Sequence, residues 1–223
     1  MNYSFKSVHL FFSNILDQVR ASLSPASCIN CELIIKKEGL CLECFKKIKP
    51  AISTVVSGLK RTIIPVYAAG IYEGVLVKLV LQKYKNNEQA FIGAAEIIYE
   101  NQLKYMNADF LIPIPLHYKK NKERGFDQVE IIAKNLSKLS GITCLQALSR
   151  IKNTSPQANL TRLERQQNLA NAFDIINPEL LYQKDLIIID DVYTTGTTAY
   201  EVIKLLETAK PKSLRVLVLA RAI

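Results

Sequence analysis

No stretch of the 223-residue chain approaches the roughly 18 consecutive apolar residues that a membrane-crossing helix needs, so no integral membrane association is expected. No small-residue cleavage site follows the mixed opening MNYSFKSVHLFFSNIL, which argues against a secretory leader and makes the cytoplasm the expected location. Internal repeats and low-complexity tracts are absent. With 49% hydrophobic and 22% charged residues, wholesale disorder is excluded. Histidine occurs only twice, and His117 reads as an ordinary polar loop residue rather than a catalytic base. Acidic residues are in deficit, 20 against 29 basic, for a net charge of +9. That balance suits nucleic acid, a phosphorylated metabolite or a membrane surface, and equally a solvated basic face.

The length allows one full domain, at roughly 150 residues, plus a small module. Phe5, Val8, Phe12, Ile15, Leu16 and Val19 recur at helical spacing, which predicts an amphipathic helix at the start. A cysteine-rich segment follows, so residues 1–50 are expected to hold this helix and the cysteine module, and residues 51–223 the main domain. A linker is expected near residues 50–62. Residues 63–71, 110–115, 143–148, 186–189 and 214–219 read as strands. Residues 75–83, 91–104, 127–139 and 199–208 read as helices. Strand–helix alternation with continuous apolar strands predicts an α/β fold, a parallel central sheet flanked by helices on both faces.

The most informative stretch is Leu186-Ile187-Ile188-Ile189-Asp190-Asp191-Val192-Tyr193-Thr194-Thr195-Gly196-Thr197-Thr198. A buried strand delivers two carboxylates, and a tight loop of hydroxyl residues and glycine opens a helix. Free N–H groups at a helix start attract an anion, threonine hydroxyls add donors, and glycine permits close backbone approach. The carboxylates would repel that anion, so they are read as partners for sugar hydroxyls or Mg2+. No Gly-Lys-Ser/Thr follows, so this is not a Walker loop. Upstream, alternate prolines in Ile112-Pro113-Ile114-Pro115 mark a strand ending at a site edge. The following basic loop carries Lys119, Lys120, Lys122 and Arg124 within six residues and then Gly125 and Phe126. Such a loop suits a diphosphate or a nucleic acid backbone.

The acidic-threonine segment resembles the phosphoribosyl pyrophosphate (PRPP) loop of type I phosphoribosyltransferases. That resemblance implies that Thr194, Thr195, Gly196, Thr197 and Thr198 cradle the 5′-phosphate. It further implies that Asp190 and Asp191 face the ribose hydroxyls. Arg124-Gly125-Phe126 is similar to the pyrophosphate loop of the adenine-type members. It ranks Arg124, Gly125 and Phe126, ahead of Lys119 and Lys120, as diphosphate contacts. With the pattern Arg150, Thr154, Gln157, Leu160, Arg165, Asn168, Ala172 and Phe173, the resemblance narrows to the ComF family over roughly residues 28–223. In phosphoribosyltransferases the region of Arg150 and Arg165 is a mobile loop that closes over the substrate, which makes both arginines candidate diphosphate partners. Asn121 departs from the family, whose basic loop often carries a further arginine there.

Cys28-x2-Cys31 and Cys41-x2-Cys44 form two knuckles separated by nine residues. Four thiolates would complete a structural tetrahedral zinc site with no open catalytic position. Two disulfides are the alternative, disfavoured in a reducing compartment. The longer ComF members carry such a four-cysteine finger. Cys144 is left over, read as a small buried hydrophobe. The family resemblance implies PRPP with Mg2+ and a role in natural competence. There, single-stranded DNA would pass to a helicase-like ATPase or to recombination proteins. A salvage-type enzyme moving phosphoribosyl onto an unknown base or amine is the alternative.

Overall fold

The computed structural model describes residues 26–36, 39–59, 62–152 and 171–223. The expected N-terminal helix and Thr154, Gln157, Leu160, Arg165 and Asn168 lie outside the described residues. Among the described residues, six strands form the main sheet: β1 (Thr54–Ser57), β2 (Ile63–Ile71), β3 (Phe110–Pro113), β4 (Thr143–Cys144), β7 (Asp185–Tyr193) and β8 (Ser213–Arg221). Their order is β1-β2-β8-β7-β3-β4, all pairs parallel except the β1–β2 edge. Two further strands, β5 (Leu148–Arg150) and β6 (Phe173–Ile175), make a small antiparallel sheet.

The pleat sends successive side chains to opposite faces. On β7, Ile187 and Ile189 enter one core with Phe91, Ile98, Ile132 and Leu136. Leu186 and Ile188 enter the other with Val202, Ile203, Leu206 and Phe173. Helices α2 (Gly74–Val80), α3 (Gln89–Asn101) and α5 (Gln128–Ser140) therefore cover the first face, and α6 (Thr197–Leu206) with β5–β6 covers the second. Burial on both faces is why the strands read as unbroken apolar runs. The cysteine segment, including the short helix α1 (Leu42–Phe45), seats Ile29, Leu40, Phe45 and Ile48 against the first core.

Three expectations change. The presumed linker contains β1, whose pairing with β2 ties it to the sheet edge. Residues 143–148 split between β4 and β5, which belong to different sheets. The basic loop is a helix, α4 (Tyr118–Arg124), started by the buried His117 and ended by Gly125 in the left-handed region at φ 83°. His117 Nδ1 accepts from the Lys119 N–H at 3.3 Å, which requires a neutral imidazole. Burial, and the charges of Arg150, Lys119 and Lys120, lower its pKa accordingly.

Candidate functional site

A cavity of about 660 Å³ opens at the carboxyl end of the parallel sheet, the usual place for a ligand in such folds. Asp190 and Asp191 enter it from β7, which runs through both carboxylates rather than ending before them. Alternation along β7 sends Ile187 and Ile189 to one core and Leu186 and Ile188 to the other, but the two carboxylates line this one cavity with their side chains in contact.

Their hydrogen-bond partners differ. Asp191 Oδ2 accepts from Lys83 Nζ at 2.9 Å and from Gln128 Nε2 at 3.0 Å, and its Oδ1 accepts from the Val192 N–H at 2.7 Å. Burial alone would raise its pKa, but the Lys83 charge and these hydrogen bonds outweigh it and hold Asp191 below the usual carboxylate range. Asp190 Oδ1 accepts from the Asp191 N–H at 2.8 Å. Burial, then the neighbouring Asp191 charge, pushes Asp190 well above that range. The Lys83 charge offsets part of that rise, and Arg150, whose own pKa burial lowers, feels the pull of Asp190 and Asp127.

The loop after β7 turns at Gly196, φ 75°, and leads into α6. The left-handed backbone angle there favours glycine, and a Cβ would also meet the hydroxyl end of the Tyr193 side chain. Thr194 and Thr198 line the main cavity, while Thr195, Gly196 and Thr197 line a smaller recess around the loop itself. Thr195 Oγ1 and Thr197 Oγ1 lie 2.8 Å apart and share a hydrogen bond.

Helix α4 contributes to the same cavity. Lys120 and Arg124 line the cavity together with Arg150. Lys119 is exposed outside the cavity lining. Gly125 ends α4, and Phe126 turns into the core, its ring 5.8 Å from Phe91. Its part is to seat the turn from below. Arg124 Nη1 donates to Gln128 Oε1 at 2.5 Å, so one amide joins α4 to the carboxylate strand. The turn between α4 and α5 is held by Asp127, which caps α5 by accepting from the Val129 and Glu130 N–H groups and also accepts from the Leu116 N–H at 2.6 Å. Sequence reading assigned no role to Lys83, Gln128 or Asp127. Asp127 and Gln128 do follow Arg124-Gly125-Phe126 in the motif that carries the family resemblance, and Asp127 also stands as a capping residue before the helical period, whereas Lys83 has no such mark.

The four cysteine sulfurs of Cys28, Cys31, Cys41 and Cys44 lie within 4.8 Å of one another, a set that could hold a metal. Cys31 and Cys41 Sγ are 3.7 Å apart, close to the roughly 3.8 Å edge of a tetrahedron with Zn–S bonds near 2.3 Å. All five cysteines are free thiols. Asn30 Nδ2 donates to Cys44 Sγ at 3.1 Å and the Cys41 N–H to Cys28 Sγ at 3.4 Å, contacts that suit thiolates.

Residues 81–223 match the phosphoribosyl transferase domain family. Competence protein F from Haemophilus influenzae is 30% identical over 230 residues, which span 87% of this chain and 96% of that protein. DNA utilization protein YhgH from Escherichia coli K12 is 33% identical over 101 residues, 44% of this chain and 43% of that one. Among solved structures, adenine phosphoribosyltransferase from Saccharomyces cerevisiae aligns over 82% of this chain and 98% of its own, at 13% identity and a TM-score of 0.39. Among the described residues, no helix is long and apolar enough to cross a membrane.

Proposed function

The chain belongs to the phosphoribosyl transferase domain family, among the competence protein F (ComF) relatives, and from that premise we propose that its cavity binds PRPP with Mg2+ in the service of DNA uptake. One observation carries the reading. The carboxylate pair, together with Thr194 and Thr198 of the turn into α6, lines one cavity with the cations Lys83, Lys120, Arg124 and Arg150. PRPP needs that distribution. The turn and helix N-terminus suit its 5′-phosphate, Asp190 and Asp191 its ribose hydroxyls, and Lys120, Arg124 and Arg150 its diphosphate. Mg2+ is held largely by water and substrate phosphate oxygens, so the protein need supply few ligands, and oxygen donors are what the site offers. When bound, the ion neutralises diphosphate charge. In a transfer reaction an acceptor's lone pair would bond to the anomeric carbon as the bond from that carbon to the diphosphate oxygen breaks, and Arg124 and Lys120 would stabilise the charge left on the diphosphate.

The biological half of the proposal rests on the relatives named for competence and for DNA utilization, and on the net charge of +9. Single-stranded DNA, a helicase-like ATPase and recombination proteins are the partners it proposes. Zinc is the metal proposed for the four thiols, a structural module within residues 1–50 beside the phosphoribosyltransferase-like part at 51–223.

Calorimetric titration of PRPP, with and without Mg2+, into the wild type and the Asp190→Ala/Asp191→Ala double variant tests the site. Saturable, Mg2+-strengthened binding that is lost in the variant is expected. No binding at millimolar PRPP would overturn it. Single-stranded DNA binding that survives in the same variant would separate the DNA role from the nucleotide site.

A further inference from the structure

Lys83 belongs to neither motif that builds the proposed site. It lies in the 3-10 turn Leu81–Tyr84 that follows α2, and the fold carries it to a residue 108 positions away. Its ammonium rests 2.9 Å from Asp191 Oδ2, with the two side chains only 17% and 12% exposed. Burying an ammonium is costly, and a fixed salt bridge repays that cost poorly. A carboxylate that served only sugar hydroxyls would not need it, because Gln128 Nε2 already donates to the same oxygen at 3.0 Å. When the ammonium leaves, the Gln128 and Val192 hydrogen bonds remain on Asp191, and the bound ligand has to make up for the lost charge partner.

Its position says where it can go. Lys83 lines the same cavity as Lys120 and Arg124, and the Lys83 ammonium and Arg124 guanidinium each lie 5.6 Å from the centre of the Tyr84 ring. Two cations from separate elements thus share one aromatic support beside the cavity. Lysine is a point charge on a flexible stem with three donors, able to change partners by rotamer alone.

We infer that Lys83 is a diphosphate-binding residue, held on Asp191 and transferred to the diphosphate when ribose hydroxyls take its place on the carboxylate. This rests on the PRPP reading above. Ribose 5-phosphate separates the two, since it carries the 5′-phosphate and hydroxyls but no diphosphate. By calorimetry, Lys83→Met is expected to weaken PRPP roughly tenfold or more, the worth of a hydrogen bond to a charged group. Its affinity for ribose 5-phosphate should change by less than about threefold, and Lys83→Arg should recover most of the PRPP binding. Parallel loss of both ligands, or no loss of PRPP, would overturn the inference while leaving the PRPP site standing. Absence of PRPP binding in the wild type would overturn both. Should Lys83→Met fail to fold, the wild type decides. Its Lys83 13Cε resonance, assigned with Lys83→Arg, should shift with PRPP well beyond any shift that ribose 5-phosphate causes. A resonance that takes the same position with both ligands overturns the inference.

Discussion

Gln128→Glu changes one heavy atom and almost no volume, yet it should cost this protein much of its stability at neutral pH. The Gln128 amide is used at both ends. Its oxygen accepts from Arg124 at 2.5 Å and its nitrogen donates to Asp191 at 3.0 Å. The substitution turns that donor into a second carboxylate oxygen facing Asp191. Lost is a hydrogen bond to a charged group, about 1.5–3 kcal/mol. Added is a like-charge contact near 3 Å, about 5 kcal/mol at an effective dielectric of about 20. Two effects limit the sum. Arg124 gains an ionic partner and Lys83 stays on Asp191. The new carboxyl can also take up a proton, which from an ordinary glutamate at pH 7 costs only about 4 kcal/mol. The net loss at pH 7 is therefore about 2–4 kcal/mol, a large part of a typical domain's stability of about 5–15 kcal/mol. The sign with pH is fixed by the same logic. The introduced group has a folded-state pKa raised above its unfolded value, so the variant matches the wild type best below about pH 4.3 and loses stability as pH rises through the raised value. Urea unfolding of wild type and variant at pH 5 and pH 7.5 should show a gap that widens with pH. Gln128→Met, which removes the donor without adding charge, should show a smaller gap that does not widen. Parallel pH dependence of Gln128→Glu and wild type would refute the reasoning.

Metal analysis of the purified chain should find one zinc per molecule. A strong chelator or Cys44→Ser should lower the melting temperature of the whole chain, because Ile29, Leu40, Phe45 and Ile48 of the cysteine segment pack on the main core; an unchanged melt would separate the two. Phe126→Ala should cost about 3–5 kcal/mol in urea unfolding, as expected for emptying a buried aromatic site. A variant of wild-type stability with altered PRPP affinity would instead place this ring at the ligand.

The strands were legible because they are buried on both sides. Ile63–Ile71 was read to the residue, and β7 and β8 announced themselves as apolar runs that no half-exposed strand would carry. What was illegible had no local period to betray it. Strands β5 and β6 are three residues each, below the length at which alternation is a signal. Helix α4 has seven residues and four cations and no apolar stripe, and its only marks are a histidine cap and a glycine stop. The site divides along the same line. Asp190-Asp191 and the threonine–glycine turn could be found because they are contiguous and their chemistry needs contiguity. The roles of the two acids could not, because Asp191 is set apart by Lys83 and Gln128, and those partners come from two other elements. Lys83 in particular reads as one lysine among many until the chain closes 108 residues later and leaves it on a carboxylate. A sequence names the groups a site can use, but which of two adjacent acids is held below the ordinary carboxylate range and which above it is decided by long-range packing.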